Sequence, residues 1–249
     1  MMNITPVVKQ LLIINIIFFV GSQIVPLADN YFALYFFENP LFKFWQPLTH
    51  MFMHGGISHI FFNMFALYSF GSALEHFWGG KKFIFFYISC GLGAALLHSF
   101  INYLEFRNEF SYLIDSGFKH DDIFNLLNQK MFDRRWLEVI GQDGVDTLSV
   151  SYTIPAVGAS GAIYGLLVAF AFMFPNAELG IMFIPIPIKA KYFVPGLLAL
   201  DLFLGLKGQS IFGAGSTGVA HFAHIGGAVT GFIMMWYWKK NQFNDKRLN

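Results

Sequence analysis

Ser160 stands in the run Gly158-Ala159-Ser160-Gly161, at the mouth of the apolar stretch VGASGAIYGLLVAFAFMFP (157–175). A serine hydroxyl becomes a nucleophile only when a neighbouring base takes its proton. The later run GVAHFAHIGGAVTGF (218–232) offers two imidazoles, His221 and His224, and then Gly227 and Gly231. Gly161 and Gly165 repeat that GxxxG spacing in the first stretch, and two such faces let membrane helices approach closely. Pressed together, they would bring Ser160 within hydrogen-bond reach of His224, the pairing that acyl transfer requires. The same small residues also suit plain helix packing with no chemistry at all.

A third group of polar residues lies in HMFMHGGISHIFFNMFALYSFG (50–71). His59 and Asn63 are four residues apart, which puts both side chains on one face of a helix. His50 and His54 precede them in the lead-in. Such a set reads as packing histidines or as metal ligands. No carboxylate or cysteine sits nearby and HExxH is absent from the chain, so neither a metal nor a cofactor is expected. If Ser160 opens a helix, the first-turn N–H groups around it are unpaired and favour negative charge there. Tyr164 stands one turn below on the same face. The hydrolase elbow Gly-x-Ser-x-Gly is not present, because the second glycine follows Ser160 directly and no strand precedes it.

The elements that must position these groups are membrane helices. Of 249 residues, 55% are hydrophobic, 19% aromatic and only 12% charged. That charged share is about half of what a soluble domain carries, and the bilayer must cover the excess apolar surface. The net charge of +1 is uninformative, no basic run suggests nucleic acid, and the single cysteine, Cys90, allows no intrachain disulfide. The first apolar run is long for a signal peptide and has no small-residue cleavage site, so it reads as a retained helix. Six spans follow from apolar length: 8–27, 57–77, 83–104, 158–175, 192–207 and 218–238. The fifth is short and contains Asp201. The even number puts both termini on one side, with Lys9, Lys81, Lys82, Lys189, Lys191, Lys239, Lys240, Lys246 and Arg247. The opposite short loops hold only Lys43 and Lys207, so the termini are expected in the cytoplasm. Residues 105–150, with nine acids and five bases, read as an extracytoplasmic insertion carrying one or two short helices.

Together the three groups resemble the rhomboid family of intramembrane serine proteases, over most of the chain apart from 105–150. FWQPLTHMFMHGGISHIFFN (44–63) is similar to the family's His-x3-His-x4-His-x3-Asn signature, GASG to its nucleophile motif and AHIGG (223–227) to its base motif. The resemblance implies an all-α polytopic membrane protein, a six-helix bundle around a water-filled site open to the extracytoplasmic side. It implies Ser160 as nucleophile, His224 as general base, and an oxyanion hole of His59, Asn63 and the Ser160 N–H. Tyr164 would pack on the His224 ring, His50, His54 and Trp45 would brace the first loop, and Glu75 would tie helices together. Gly158, Gly161 and Gly227 belong to the motifs. Where the family often has Trp-Arg, this chain has Trp45-Gln46, which keeps hydrogen bonding but loses the charge and fork of arginine.

These implications predict an endopeptidase that cuts transmembrane segments of other proteins, in the bilayer of a bacterial inner membrane. GQSIFGAGSTG (208–218) is expected to form a mobile cap over His224, with the fifth helix as a lateral gate. Two other readings stand beside it. One is an inactive rhomboid relative that binds and escorts membrane clients. The other is a transporter whose histidines and Asp201 line a metal or proton path.

Overall fold

A computed structural model describes residues 3–25, 27–181, 184–207 and 219–242. The expected cap at 208–218, with Gly213 and Gly215, lies outside the described residues. The chain is mostly helical, and among the described residues three helices are long and apolar enough to cross a membrane: Pro6–Ile24, Ile57–Trp78 and Gly80–Asp115. It is an integral membrane protein.

Helix α1 (Pro6–Ile24) starts with proline in its first turn, where the missing N–H costs nothing. Short helices α2 (Ala28–Phe32) and α3 (Gln46–Thr49) and a 3₁₀ turn (His50–Phe52) build the loop that follows. Helix α4 (Ile57–Ala66) runs through a π-helical turn (Leu67–Gly71) into α5 (Ser72–Trp78). At its lower end Glu75 closes the bundle. Its carboxylate accepts hydrogen bonds from the Thr5 hydroxyl and from the N–H groups of Val7 and Val8, at 2.5, 2.9 and 2.8 Å. Two orphan donors of the first turn of α1 are thereby satisfied, and the negative charge sits at the favourable end of that helix.

Helix α6 (Gly80–Asp115) is the central post: it leads on to the short α7 (His120–Asn128) and packs against the helices Trp136–Thr153, Ser160–Met173 and Val219–Gln242. Its 36 residues correspond to about 54 Å, well beyond the hydrocarbon thickness of about 30 Å. The extra length joins α7 and α8 (Trp136–Thr153), which is bent at Gly141 (φ 66°). The insertion is thus more than one or two short helices. It has its own core of Phe106, Phe110, Leu113, Ile123, Leu127 and Trp136, because its apolar residues have one another to pack on.

Helix α9 (Ser160–Met173) is only 14 residues, about 21 Å. After it come two antiparallel strands, β1 (Glu178–Ile181) and β2 (Ile184–Lys189), paired Glu178 to Lys189 and Ile181 to Ile184. An all-helical chain does not include this hairpin. Its cause is local: prolines at 185 and 187 alternate with isoleucines, which removes helix donors and favours extended backbone. Helices α10 (Ala190–Leu206) and α11 (Val219–Gln242) complete the bundle.

Helices α9 and α11 meet along bare glycine backbone. A Cβ added to Gly227 would stand 1.8 Å from the Gly161 carbonyl oxygen, and one added to Gly231 would stand 2.9 Å from Gly165. On the other side of α9, a Cβ on Gly165 would stand 2.4 Å from the Cys90 sulfur of α6. Only residues without a side chain fit this three-helix seam.

Candidate active site

Ser160 is the first residue of α9, and the backbone leading to it is clamped to the first loop. Leu34 and Ala156 exchange both N–H···O bonds, at 2.9 and 2.8 Å, and the Gly158 N–H donates to the His50 carbonyl at 2.9 Å. Gly158 has φ +124°, a region that favours glycine. Its bare Cα also makes room: a Cβ there would be 2.7 Å from His59 Nε2 and 3.7 Å from Ser160 Oγ. Those two atoms therefore flank the same small space.

Across the glycine seam stands His224. Its Nε2 lies 2.9 Å from Ser160 Oγ, a normal hydrogen bond. The Tyr164 ring stacks on the imidazole with centroids 4.2 Å apart and planes 7° from parallel, which fixes the ring's tilt. The other nitrogen, Nδ1, faces Asp201 Oδ1 of α10 at 3.4 Å. His221, one turn earlier on α11, places its Nδ1 2.5 Å from the same oxygen.

On α4, Asn63 is buried (5% exposed) and its Nδ2 has no hydrogen-bond partner among the described residues. A buried amide donor without an acceptor costs about 1–3 kcal/mol, so this nitrogen is free to donate to a water or a substrate oxygen. The Gly55 N–H approaches His59 Nδ1 at 3.4 Å, making that nitrogen the acceptor and leaving the ring proton on Nε2, the atom beside Gly158.

The first loop braces this arrangement. Trp45 Nε1 donates to the Tyr31 carbonyl at 2.8 Å. Gln46 is fully buried, donates to the Asn30 and Leu41 carbonyls at 3.2 and 2.9 Å, and accepts from the Tyr35 N–H at 3.3 Å. The loss of an arginine fork here is made good by a side chain whose bonding capacity is used without burying a charge. His50 Nδ1 faces the Gln46 carbonyl at 3.1 Å and His54 Nδ1 the Phe52 carbonyl at 3.3 Å. Burial pushes both imidazoles down to a pKa of about 4, with nearby His98 and His59 respectively adding to the effect. Both rings are neutral at physiological pH.

Tertiary structure thus gathers Ser160, His224, Tyr164, His59, Gly158, Gly161 and Gly227 at the head of α9, α11 and α4. Asp201 joins them: the sequence sets it beside histidines only in the transport reading, and the structure sets it beside the partner of Ser160. Its signal was an acid alone in an apolar helix, with two imidazoles at i, i+3 in the next helix to receive it. Asp201, His221 and His224 each offer a ligand atom within 4.8 Å of the others. Two atoms bound to one tetrahedral zinc at about 2.1 Å would stand roughly 3.4 Å apart. The 2.5 Å between His221 and Asp201 suits a direct hydrogen bond instead.

Comparison with known proteins agrees with this architecture. The sequence model of the Rhomboid domain matches residues 41–119 and 122–241. The chain is 33% identical over 124 residues to presenilin-associated rhomboid-like protein A, mitochondrial, of Danio rerio. It is 32% identical, over the same length, to presenilin-associated rhomboid-like protein, mitochondrial, of Bos taurus and of Mus musculus. Each match covers 46% of this chain and 29% of the relative, so the chain spans under a third of the relatives' length in these alignments.

Proposed function

The chain belongs to the rhomboid family, and from that premise we propose that it is an intramembrane serine endopeptidase acting on transmembrane segments of other membrane proteins. The observation that carries this reading is the 2.9 Å separation of Ser160 Oγ and His224 Nε2. His224 Nε2 takes the hydroxyl proton as Oγ attacks the substrate carbonyl, then delivers that proton to the leaving amine. Water, deprotonated by the same nitrogen, hydrolyses the resulting ester and restores the serine. The negative oxygen of each tetrahedral intermediate is received by the Ser160 N–H, by Asn63 Nδ2 and by His59 Nε2. The unpartnered Asn63 donor and the space beside Gly158 support that assignment.

In this reading α1, α4–α5, α6, α9, α10 and α11 make six crossings, with both termini in the cytoplasm of a bacterial plasma membrane, on the side richer in lysine and arginine. A 14-residue α9 that reaches the cytoplasmic face begins below the outer surface. Ser160 then sits at the floor of a recess that water enters from outside, the setting in which irregular backbone is tolerated at depth. Residues 105–150 stand outside the bilayer.

A fluorophosphonate probe applied to membranes tests the reading, together with cleavage of a model transmembrane substrate in detergent. Labelling is expected in the wild type and absent from Ser160→Ala and His224→Ala. Wild-type protein that stays unlabelled while folded overturns hydrolysis and leaves client binding. Stoichiometric tight zinc without labelling would favour transport.

A further inference from the structure

Asp201 is a buried acid, 3% exposed, on an apolar helix whose one other charged residue, Lys191, lies in the first turn. Such a group is expensive unless it is paired. Its partners are the Nδ1 atoms of His221 at 2.5 Å and His224 at 3.4 Å, both on Oδ1, while Oδ2 has no hydrogen-bond partner among the described residues. Of the two imidazoles, only His224 touches Ser160.

We propose that Asp201 is a positioning residue for the base, the third member of a Ser160–His224–Asp201 array that the sequence motifs do not announce. The proposal rests on the proteolytic reading of Ser160 and His224 and deepens it.

The chemistry follows from the two nitrogens of one ring. A neutral imidazole has a single N–H, and the partner of one nitrogen decides where it sits. A carboxylate can only accept, so Oδ1 draws the proton of His224 to Nδ1. Nε2 is then left with a lone pair, the form that accepts the serine proton. When Nε2 takes that proton the ring becomes a cation, and the fixed negative charge of Asp201 lies against it without either group having to move. Tyr164 stacks on the face of the ring and sets its plane, but stacking cannot choose between nitrogens. His59 of α4 is the other imidazole near enough to interact with the base. The described residues place no lysine or arginine against Asp201; the groups that face it are the Nδ1 atoms of His221 and His224 and the hydroxyl of Tyr164.

A competing explanation is purely structural. The shorter bond runs to His221, and it could serve only to tie α10 to α11. The two explanations separate in variants of the full-length protein in detergent. In Asp201→Asn the amide N–H can donate to Nδ1, which drives the ring proton to Nε2 and blocks the base. With a neutral amide in place of the carboxylate, kcat is expected to fall by about 10²-fold or more with KM within about threefold, the loss known for a triad acid reaching about 10⁴. Asp201→Ala, which imposes no tautomer, should retain more kcat than Asp201→Asn, and Asp201→Glu should recover part of the loss. His221→Phe leaves Oδ1 to His224 alone and should keep kcat within about threefold of wild type. Equal losses in His221→Phe and Asp201→Asn would show that the carboxylate is only a tie, and unchanged kcat in Asp201→Asn would overturn the proposal.

One measurement needs neither turnover nor a variant. Nitrogen-15 NMR of histidine-labelled wild type should show His224 with its proton on Nδ1, and finding it on Nε2 overturns the assignment. A wild type without hydrolysis sinks the proteolytic reading, and the tautomer still decides Asp201.

Discussion

Gly227→Ala puts the most direct load on the seam that sets the Ser160–His224 distance. A Cβ at that position would stand 1.8 Å from the Gly161 carbonyl oxygen and 2.6 Å from its carbon. An unstrained carbon–oxygen contact needs about 3.3 Å, so the two backbones must part by roughly 1.5 Å along that line. Neither is the flexible end of a side chain, and packed interiors transmit such strain rather than absorb it. Ser160 adjoins Gly161, and His224 is one turn before Gly227 on α11, so the displacement falls on the reacting pair. If it passes through in full, the 2.9 Å contact opens to about 4.4 Å, which is no longer a hydrogen bond. A misplacement of about 1 Å costs on the order of 10² in rate, while overpacking costs about 1–3 kcal/mol of stability. Gly231→Ala is the internal control. Its added carbon meets the Gly165 Cα and carbonyl oxygen at 2.9 Å, asks for about 0.6 Å of relief and lies a further turn from the pair. The assay is the rate of fluorophosphonate labelling in detergent, with the thermal midpoint and size-exclusion profile to confirm folding. Gly227→Ala should label about 10²-fold more slowly, and Gly231→Ala close to wild type. A folded Gly227→Ala protein that labels at the wild-type rate would refute the argument that this seam sets the catalytic distance.

Asn63→Ala should lower kcat by about 10²–10³-fold, because it removes the amide donor that the proposed mechanism assigns to the oxyanion, a nitrogen with no hydrogen-bond partner among the described residues. Wild-type turnover in that variant would remove Asn63 from the oxyanion hole. The first-loop histidines predict an acid limb in stability. His50 and His54, held at about 4 against an unfolded value of about 6.5, are neutral in the fold, so the unfolded chain binds more protons as pH falls. Stability is whole above pH 6.5 or so and declines toward pH 4, by at most about 3 kcal/mol for each histidine. Thermal midpoints taken between these limits should drop, and drop less in His54→Asn; a flat profile would contradict the burial argument.

Much of the chemistry is readable along the chain because it depends on short-range order. Four-residue spacing puts His59 and Asn63 on one helix face whatever surrounds them. GxxxG spacing on two apolar segments marks backbones able to touch, and an apolar excess of this size requires a bilayer whatever the topology. Gln46 could be read only as a weaker arginine. That it is fully buried and holds three stretches of the first loop depends on residues 30, 35 and 41 folding around it. The hairpin was written locally in the Ile-Pro alternation of 184–188, and an eye set on membrane helices passes over it. The separate core of the insertion depends on α6 continuing past the lipid, which apolar length cannot forecast once a helix leaves the bilayer.

Sequence by itself determined which residue types face one another along a single helix, and with them the groups on which the proposed reaction draws. Tertiary structure alone decided which helix faces which. The rotation of α10 against α11 is set by side-chain packing between segments distant in the chain, and no periodicity within either one encodes it. That rotation lays the Asp201 carboxylate beside His221 and His224, and turns an acid that looked like a flaw in a membrane helix into a neighbour of the base.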